Sequence, residues 1–245
     1  MTSLLELRDV TKTYGGLVAV DQASFDVESG KITALIGPNG AGKTTAFDTI
    51  SGIIEPDDGS IVFDGREITG MMPHSITSRG IGRTFQITRE LGDMTVLENM
   101  VVPNANRGIR GLIGARIDES ERLRALEVLE FVGIAQLAQL PAKRLSYGQK
   151  KLLELASILM TGPKLVLLDE PAGGVNPALL ERIMDRIEKL NAEGTTFLIV
   201  EHNMDVVMRL SHSIVVMAHG QVILQETPEV VRNDTRVLEA YLGGV

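Results

Sequence analysis

Apolar and polar residues alternate along the first third of the chain, which is the period of a strand with one buried face. Residues 4–10 (L-L-E-L-R-D-V) and 24–27 follow it, and residues 59–65 (G-S-I-V-F-D-G) read as a short strand bracketed by turn residues. Residues 31–36 (K-I-T-A-L-I) are more continuously apolar and run into Gly37, as a buried strand does on entering a loop. After residues 81–86 the period lengthens. Residues 118–132 place Leu123, Leu126, Leu129 and Val132 at helical spacing among Glu and Arg, which predicts an amphipathic helix. From residue 165 onward, apolar runs (165–168, 196–200, 213–217) alternate with helical segments (177–192, 205–210). That interleaving predicts a mostly parallel sheet covered on both faces. The helical stretch 87–145 interrupts it and is expected to be a lobe inserted within one domain spanning 1–245. His219-Gly220, between two apolar runs, predicts a hairpin turn, whereas residues 108–114 (G-I-R-G-L-I-G) fit either a loop or a weak helix.

With 245 residues the chain is long enough to bury a sizeable core without covalent staples. It has no cysteine, which removes disulfides, thiolate metal sites and cysteine nucleophiles together. The net charge of −8 gives no overall electrostatic footprint for nucleic acid, and no nucleic-acid partner is expected. No apolar run approaches the ~20 residues of a membrane-spanning helix. Glu6 and Asp9 beside Leu4 and Leu5 do not read as a signal peptide. The expectation is a soluble, cytoplasmic protein that reaches a membrane only through a partner.

The strongest chemical signal follows the strand at 31–36. Gly37-Pro38-Asn39-Gly40-Ala41-Gly42-Lys43-Thr44 matches G-x-x-x-x-G-K-[ST], a phosphate-binding loop. Its glycines let successive backbone N–H groups turn toward one oxyanion. Lys43 adds a charge for the β- and γ-phosphates, the Thr44 hydroxyl suits Mg²⁺, and Thr45 opens the helix whose positive end faces the phosphates. A second element is Leu165-Val166-Leu167-Leu168-Asp169-Glu170, an apolar strand ending in two carboxylates. Adjacent strand residues point to opposite faces, so Asp169 is expected to steer Mg²⁺ and Glu170 to accept a proton from an attacking water. An acidic pair at a strand end is also a common surface feature.

Leu145-Ser146-Tyr147-Gly148-Gln149 decides between nucleotide chemistries, because it is close to L-S-G-G-Q. With the phosphate loop and the Asp-Glu strand in this order, the chain resembles the ATP-binding subunits of ABC transporters over nearly its whole length. Independently, Ser146 followed by Gln149 is a capping-box pattern, and a capped helix start beside Gly148 is a possible anion site. The resemblance implies a P-loop NTPase core with an N-terminal antiparallel β subdomain and an inserted helical lobe. It implies ATP and Mg²⁺, and two subunits packed head to tail with each nucleotide between one phosphate loop and the other signature. Within it, Tyr14 looks like the aromatic that stacks on adenine. Gln86 looks like the glutamine that senses Mg²⁺ and the γ-phosphate, and His202, in Val200-Glu201-His202-Asn203, like the switch histidine. Ser146, Gly148 and Gln149 would face the partner's nucleotide.

Two departures stand out. Tyr147 replaces the first Gly of the signature pair, and Gly173-Gly174-Val175-Asn176 stands where S-A-L-D is usual. Met94-Thr95-Val96-Leu97-Glu98-Asn99, Pro171-Ala172-Gly173-Gly174-Val175-Asn176-Pro177 and the ending Glu239-Ala240-Tyr241-Leu242-Gly243 look most like the Liv-type subunits, which drive uptake of branched-chain amino acids. The partners then implied are transmembrane permease subunits, a second cassette of the same or a related chain and, indirectly, an extracytoplasmic solute-binding protein. The implied location is the inner face of the cell membrane. A urea or amide importer, a lipid exporter, a soluble ABC ATPase and a phosphate-loop kinase are the alternatives.

Overall fold

The structure, a computed structural model, describes residues 2–84, 91–101 and 118–242. The alternation at the N-terminus extends further than the sequence suggests. β1 (Ser3–Tyr14) pairs antiparallel with β2 (Leu17–Glu28), and the pattern breaks at Asp9 because a bulge there, with φ 52°, shifts the register. β4 (Asp58–Phe63) and the two-residue β5 (Arg66–Glu67) complete an antiparallel sheet in the order β2-β1-β4-β5.

The second sheet runs β10-β9-β3-β8-β7-β6, formed by β3 (Ile32–Ile36), β6 (Ile81–Arg83), β7 (Leu165–Asp169), β8 (Thr196–Val200), β9 (Ser213–Ala218) and β10 (Gln221–Glu226). Only β10 is antiparallel to its neighbour. Its strands read as continuous apolar runs because both faces are covered. Leu35, Leu165, Leu167, Leu198, Val200 and Met217 pack with α1 (Lys43–Ile50) and the antiparallel sheet. Val166, Leu168, Phe197 and Ile199 face the other way, toward α5 (Tyr147–Leu159) and α6 (Pro177–Ala192). Ala34, Ile36, Ile214 and Val216 pack on α7 (Met204–Leu210), α8 (Pro228–Asn233) and α9 (Thr235–Leu242). Phe47, Phe63 and Phe197 are fully buried in this core, where truncation to Ala costs about 3–5 kcal/mol.

Three further helices lie between α1 and α5: α2 (Pro73–Ser78), α3 (Val96–Val101) and α4 (Glu119–Val132). In α4 the buried face is Ala125, Leu129 and Val132, while Leu123 is exposed. Leu123 stands two residues from Ala125, which turns it to the opposite side of the helix, so the leucine spacing alone misplaces the stripe. The Thr95–Asn99 stretch is architectural. Thr95 and Glu98 close a capping box at α3, and Asn99 accepts from and donates to the Leu91 backbone. Residues 108–114 and 87–90 lie outside the described residues.

What matters for the site is register. Leu35 and Asp169 both lie beside Val200, so β3, β8 and β7 end level with one another and their loops emerge at one edge. That carboxyl edge is where open α/β sheets bind ligands.

Candidate active site

The loop from Gly37 to Thr44 leaves β3 at this edge. Gly37 has φ 151°, and a Cβ there would lie 2.1 Å from the Met217 carbonyl oxygen; at Gly42 (φ 98°) it would lie 2.4 Å from that of Ala19. Both positions demand glycine sterically as well as conformationally. Gly42 caps α1 without a side-chain cap, and the first turn carries no acid, so its free N–H groups remain open to an anion. The Lys43 ammonium donates to the Gly37 and Pro38 carbonyls, both at 2.8 Å. It is buried, and burial pushes its pKa down against the opposing pull of Glu170 and Asp169. Thr44 is exposed and Thr45 half-buried. The hairpin turn at His219-Gly220 has positive φ at both residues, as a type I′ turn requires. It also buttresses the loop: Gly220 N–H donates to Ala41 O, and Gly220 O accepts from Asp21 N–H.

Asp169 ends β7, but Glu170 has already left the strand, with φ 47°. The strand alternation invoked for this pair therefore does not apply; a left-handed turn aims Glu170 instead. Its Oε1 lies 3.0 Å from His202 Nε2. Asp169 N–H donates to Thr84 Oγ1 at 3.1 Å, and its buried carboxylate lies 3.8 Å from Arg83. Burial pushes the Asp169 pKa up, and the Arg83 charge opposes this only in part.

Two groups here escaped the sequence reading. Arg83, mostly buried, pairs with Asp48 of α1 at 2.7 Å as well as with Asp169, joining the two carboxylate-bearing elements. Glu201, 3% exposed, accepts from Ala172, His202 and Asn203 N–H groups at 2.7–2.9 Å, stapling the loop after β7 to the loop after β8. A carboxylate ending a five-residue apolar strand was the available signal.

At the signature, Ser146 Oγ accepts from Gln149 N–H and Gln149 Oε1 accepts from Ser146 N–H, the full capping box. A Cβ at Gly148 would lie 2.0 Å from the Leu179 Cδ2 methyl, so Leu179 would have to turn aside to admit one. The two departures fit each other: Gly174 (φ 69°) lies against the Tyr147 ring, with its notional Cβ 2.9 Å from Cε1. Asn176 caps α6 through Leu179 N–H at 2.9 Å, a task Asn performs as well as Asp.

The structure thus gathers Lys43, Asp169, Glu170 and His202. Among the described residues no hydrogen bond joins Ser146, Gly148 or Gln149 to residues 37–45. Tyr14, 46% exposed, ends β1 with Lys12 5.9 Å from its ring centroid. Gln86 lies outside the described residues. No helix among them is long and apolar enough to cross a membrane.

Comparison with known proteins matches residues 20–173 to the ABC transporter family. A probable branched-chain amino acid transport ATP-binding protein LivG of Archaeoglobus fulgidus is 41% identical over 98% of this chain and 95% of its own. The high-affinity branched-chain amino acid transport ATP-binding protein BraF of Pseudomonas aeruginosa is 39% identical over 98% of both. Among solved structures, an ATP-binding cassette of an ABC transporter in its ADP conformation superposes with a TM-score of 0.89 at 35% identity, covering 99% of this chain and 100% of that one. A dimeric bacterial ABC transporter cassette gives 0.79 at 28% identity, covering 91% and 98%. A phosphate loop, an acidic strand end and a capped signature helix, on a fold shared from end to end, lead to one assignment: the chain belongs to the ABC transporter family, as one of its ATP-hydrolysing cassettes.

Proposed function

We propose that this cassette drives import of branched-chain amino acids through transmembrane permease subunits, with a second cassette, identical or related, completing each nucleotide site. One observation carries the catalytic reading: Lys43, Asp169, Glu170 and His202 converge from three segments at the carboxyl ends of adjacent strands. The cargo rests on relatives that match over nearly their full length.

The triphosphate of ATP lies on the N–H groups of residues 37–45, at the positive end of α1, and Lys43 exchanges its carbonyl partners for phosphate oxygens. Thr44 and Asp169, with Gln86, offer the oxygen donors that Mg²⁺ favours, and the bound ion supplies positive charge to the phosphate oxygens. Glu170 accepts a proton from a water that attacks the γ-phosphorus in line. The bond to the β–γ bridging oxygen then breaks, leaving ADP and inorganic phosphate. His202 orients the Glu170 carboxylate and stands ready to donate to the γ-phosphate. Tyr14 stacks on adenine. Ser146, Gly148 and Gln149 present a capped helix start to the partner's nucleotide. The lobe formed by residues 87–145 meets the permeases, which hold the cassette at the inner membrane face, and an extracytoplasmic binding protein delivers solute to them.

Reconstitution with the permease subunits tests this. Glu170→Gln should still bind ATP and accumulate as a closed dimer while turning over roughly 10²–10⁴-fold more slowly, with leucine uptake lost. Near-normal turnover in that variant contradicts the catalytic reading. Uptake of urea or amides instead of branched-chain amino acids contradicts the cargo alone.

A further inference from the structure

The helix that begins at the signature also touches the chain's own general-base turn. Residues 170–174 leave β7 tightly: Glu170 has φ 47°, Gly173 N–H donates to Glu170 O at 3.0 Å, and Gly174 has φ 69°. A non-glycine residue in the left-handed region is strained and persists only where its surroundings hold it. Lys151 supplies such a hold, donating from Nζ to Glu170 O at 2.6 Å. A Cβ on Gly173 would come within 3.5 Å of the same ammonium. Four residues earlier on the same face of α5, the Tyr147 ring covers Gly174 and lies 5.5 Å from Lys151 Nζ. Burial pushes the Lys151 pKa down, against the opposing charges of Glu154, Glu201, Glu170 and Asp169. A small cavity of about 30 Å³ beside it is lined by Thr84, Lys151, Glu154 and Asp169 on one hand and by apolar residues such as Leu155 and Leu168 on the other.

Resting on the general-base reading of Glu170, we propose that Lys151 is a positioning residue for turnover, tying the start of the signature helix to the general-base turn of the same chain. Lys151 acts through the Glu170 backbone and touches no reacting atom.

Lys151→Met keeps the stem and removes the donor. In the full chain with Mg²⁺ and ATP, kcat should fall at least ~10-fold, the scale of a lost charged hydrogen bond, while KM and ATP affinity stay within about 2-fold. Lys151→Arg should recover most of kcat. Unchanged kcat in Lys151→Met overturns the proposal. So does a parallel loss of ATP affinity, or an Arg variant no better than Met, either of which assigns the residue to packing. If Lys151→Met does not fold, Lys151→Gln is read by the same criteria. Glu170→Gln, measured alongside, separates the premise from the proposal: normal turnover there overturns both, whereas turnover lost there but intact in Lys151→Met overturns the proposal alone.

Discussion

The phosphate loop with its neighbouring strand ends, and the signature, are built in opposite ways. The cradle draws on residues 37–45, 169–170 and 201–202, brought level by three parallel strands, and its Lys43 and Asp169 are buried. The signature is local: Ser146 and Gln149 satisfy each other across one helical turn, and Ser146 and Tyr147 are exposed. Burial shifts the cradle's charges in opposite directions, down for Lys43 and up for Asp169, so each charge there is held against the cost of desolvation. Ser146, Gly148 and Gln149 of the signature carry no titratable side chain. Under the proposed function this difference is a division of labour, in which one chain binds the triphosphate alone and turnover awaits donors from another.

The sharpest way to break this contrast is at Lys43. Lys43→Met should weaken ATP binding about 100-fold or more, the scale of one or two lost charged hydrogen bonds, as read by titration calorimetry. Binding unchanged by that variant would place the affinity outside the cradle. Ser146→Ala sharpens the other side. It should leave ATP binding within about 2-fold, cost about 1 kcal/mol of stability through the lost cap, and lower turnover about 10-fold. Equal binding losses in the two variants would erase the distinction.

The smallest effect concerns Asp169. A carboxyl whose pKa is raised on folding binds protons better in the folded state, so its contribution to stability is present at acid pH and is lost as pH rises through the folded pKa. Asp169→Asn removes that buried charge. Its Tm at neutral pH, without Mg²⁺, should therefore exceed that of the wild type by a small margin. The gain should shrink as pH falls toward the ordinary value of 3.8. A lower Tm at neutral pH would mean that the Arg83 pairing outweighs desolvation.

Legibility follows the same line between local and distant. Residues 177–192 and 196–200 emerge as α6 and β8 with the expected bounds, because periodicity and a Pro-led N-terminus are short-range signals. The capping box and the glycines at 37 and 42 were readable for the same reason. The left-handed turn at Glu170, the Arg83 link to Asp48, the Glu201 staple and the fit of Tyr147 to Gly174 were not. Each joins residues distant in sequence or depends on a backbone angle that no residue type announces. Among the short helices α7 is legible from residues 205–210, whereas α2, α8 and α9 show no clear period of their own.

The central claim is that a working site needs two protomers, and the ATPase rate per chain as a function of chain concentration tests it most directly. With the monomer–dimer distribution followed by sedimentation in the presence of ATP and Mg²⁺, the per-chain rate should rise in step with the dimer fraction and fall toward zero on dilution. A constant per-chain rate in samples shown to be monomeric would contradict it.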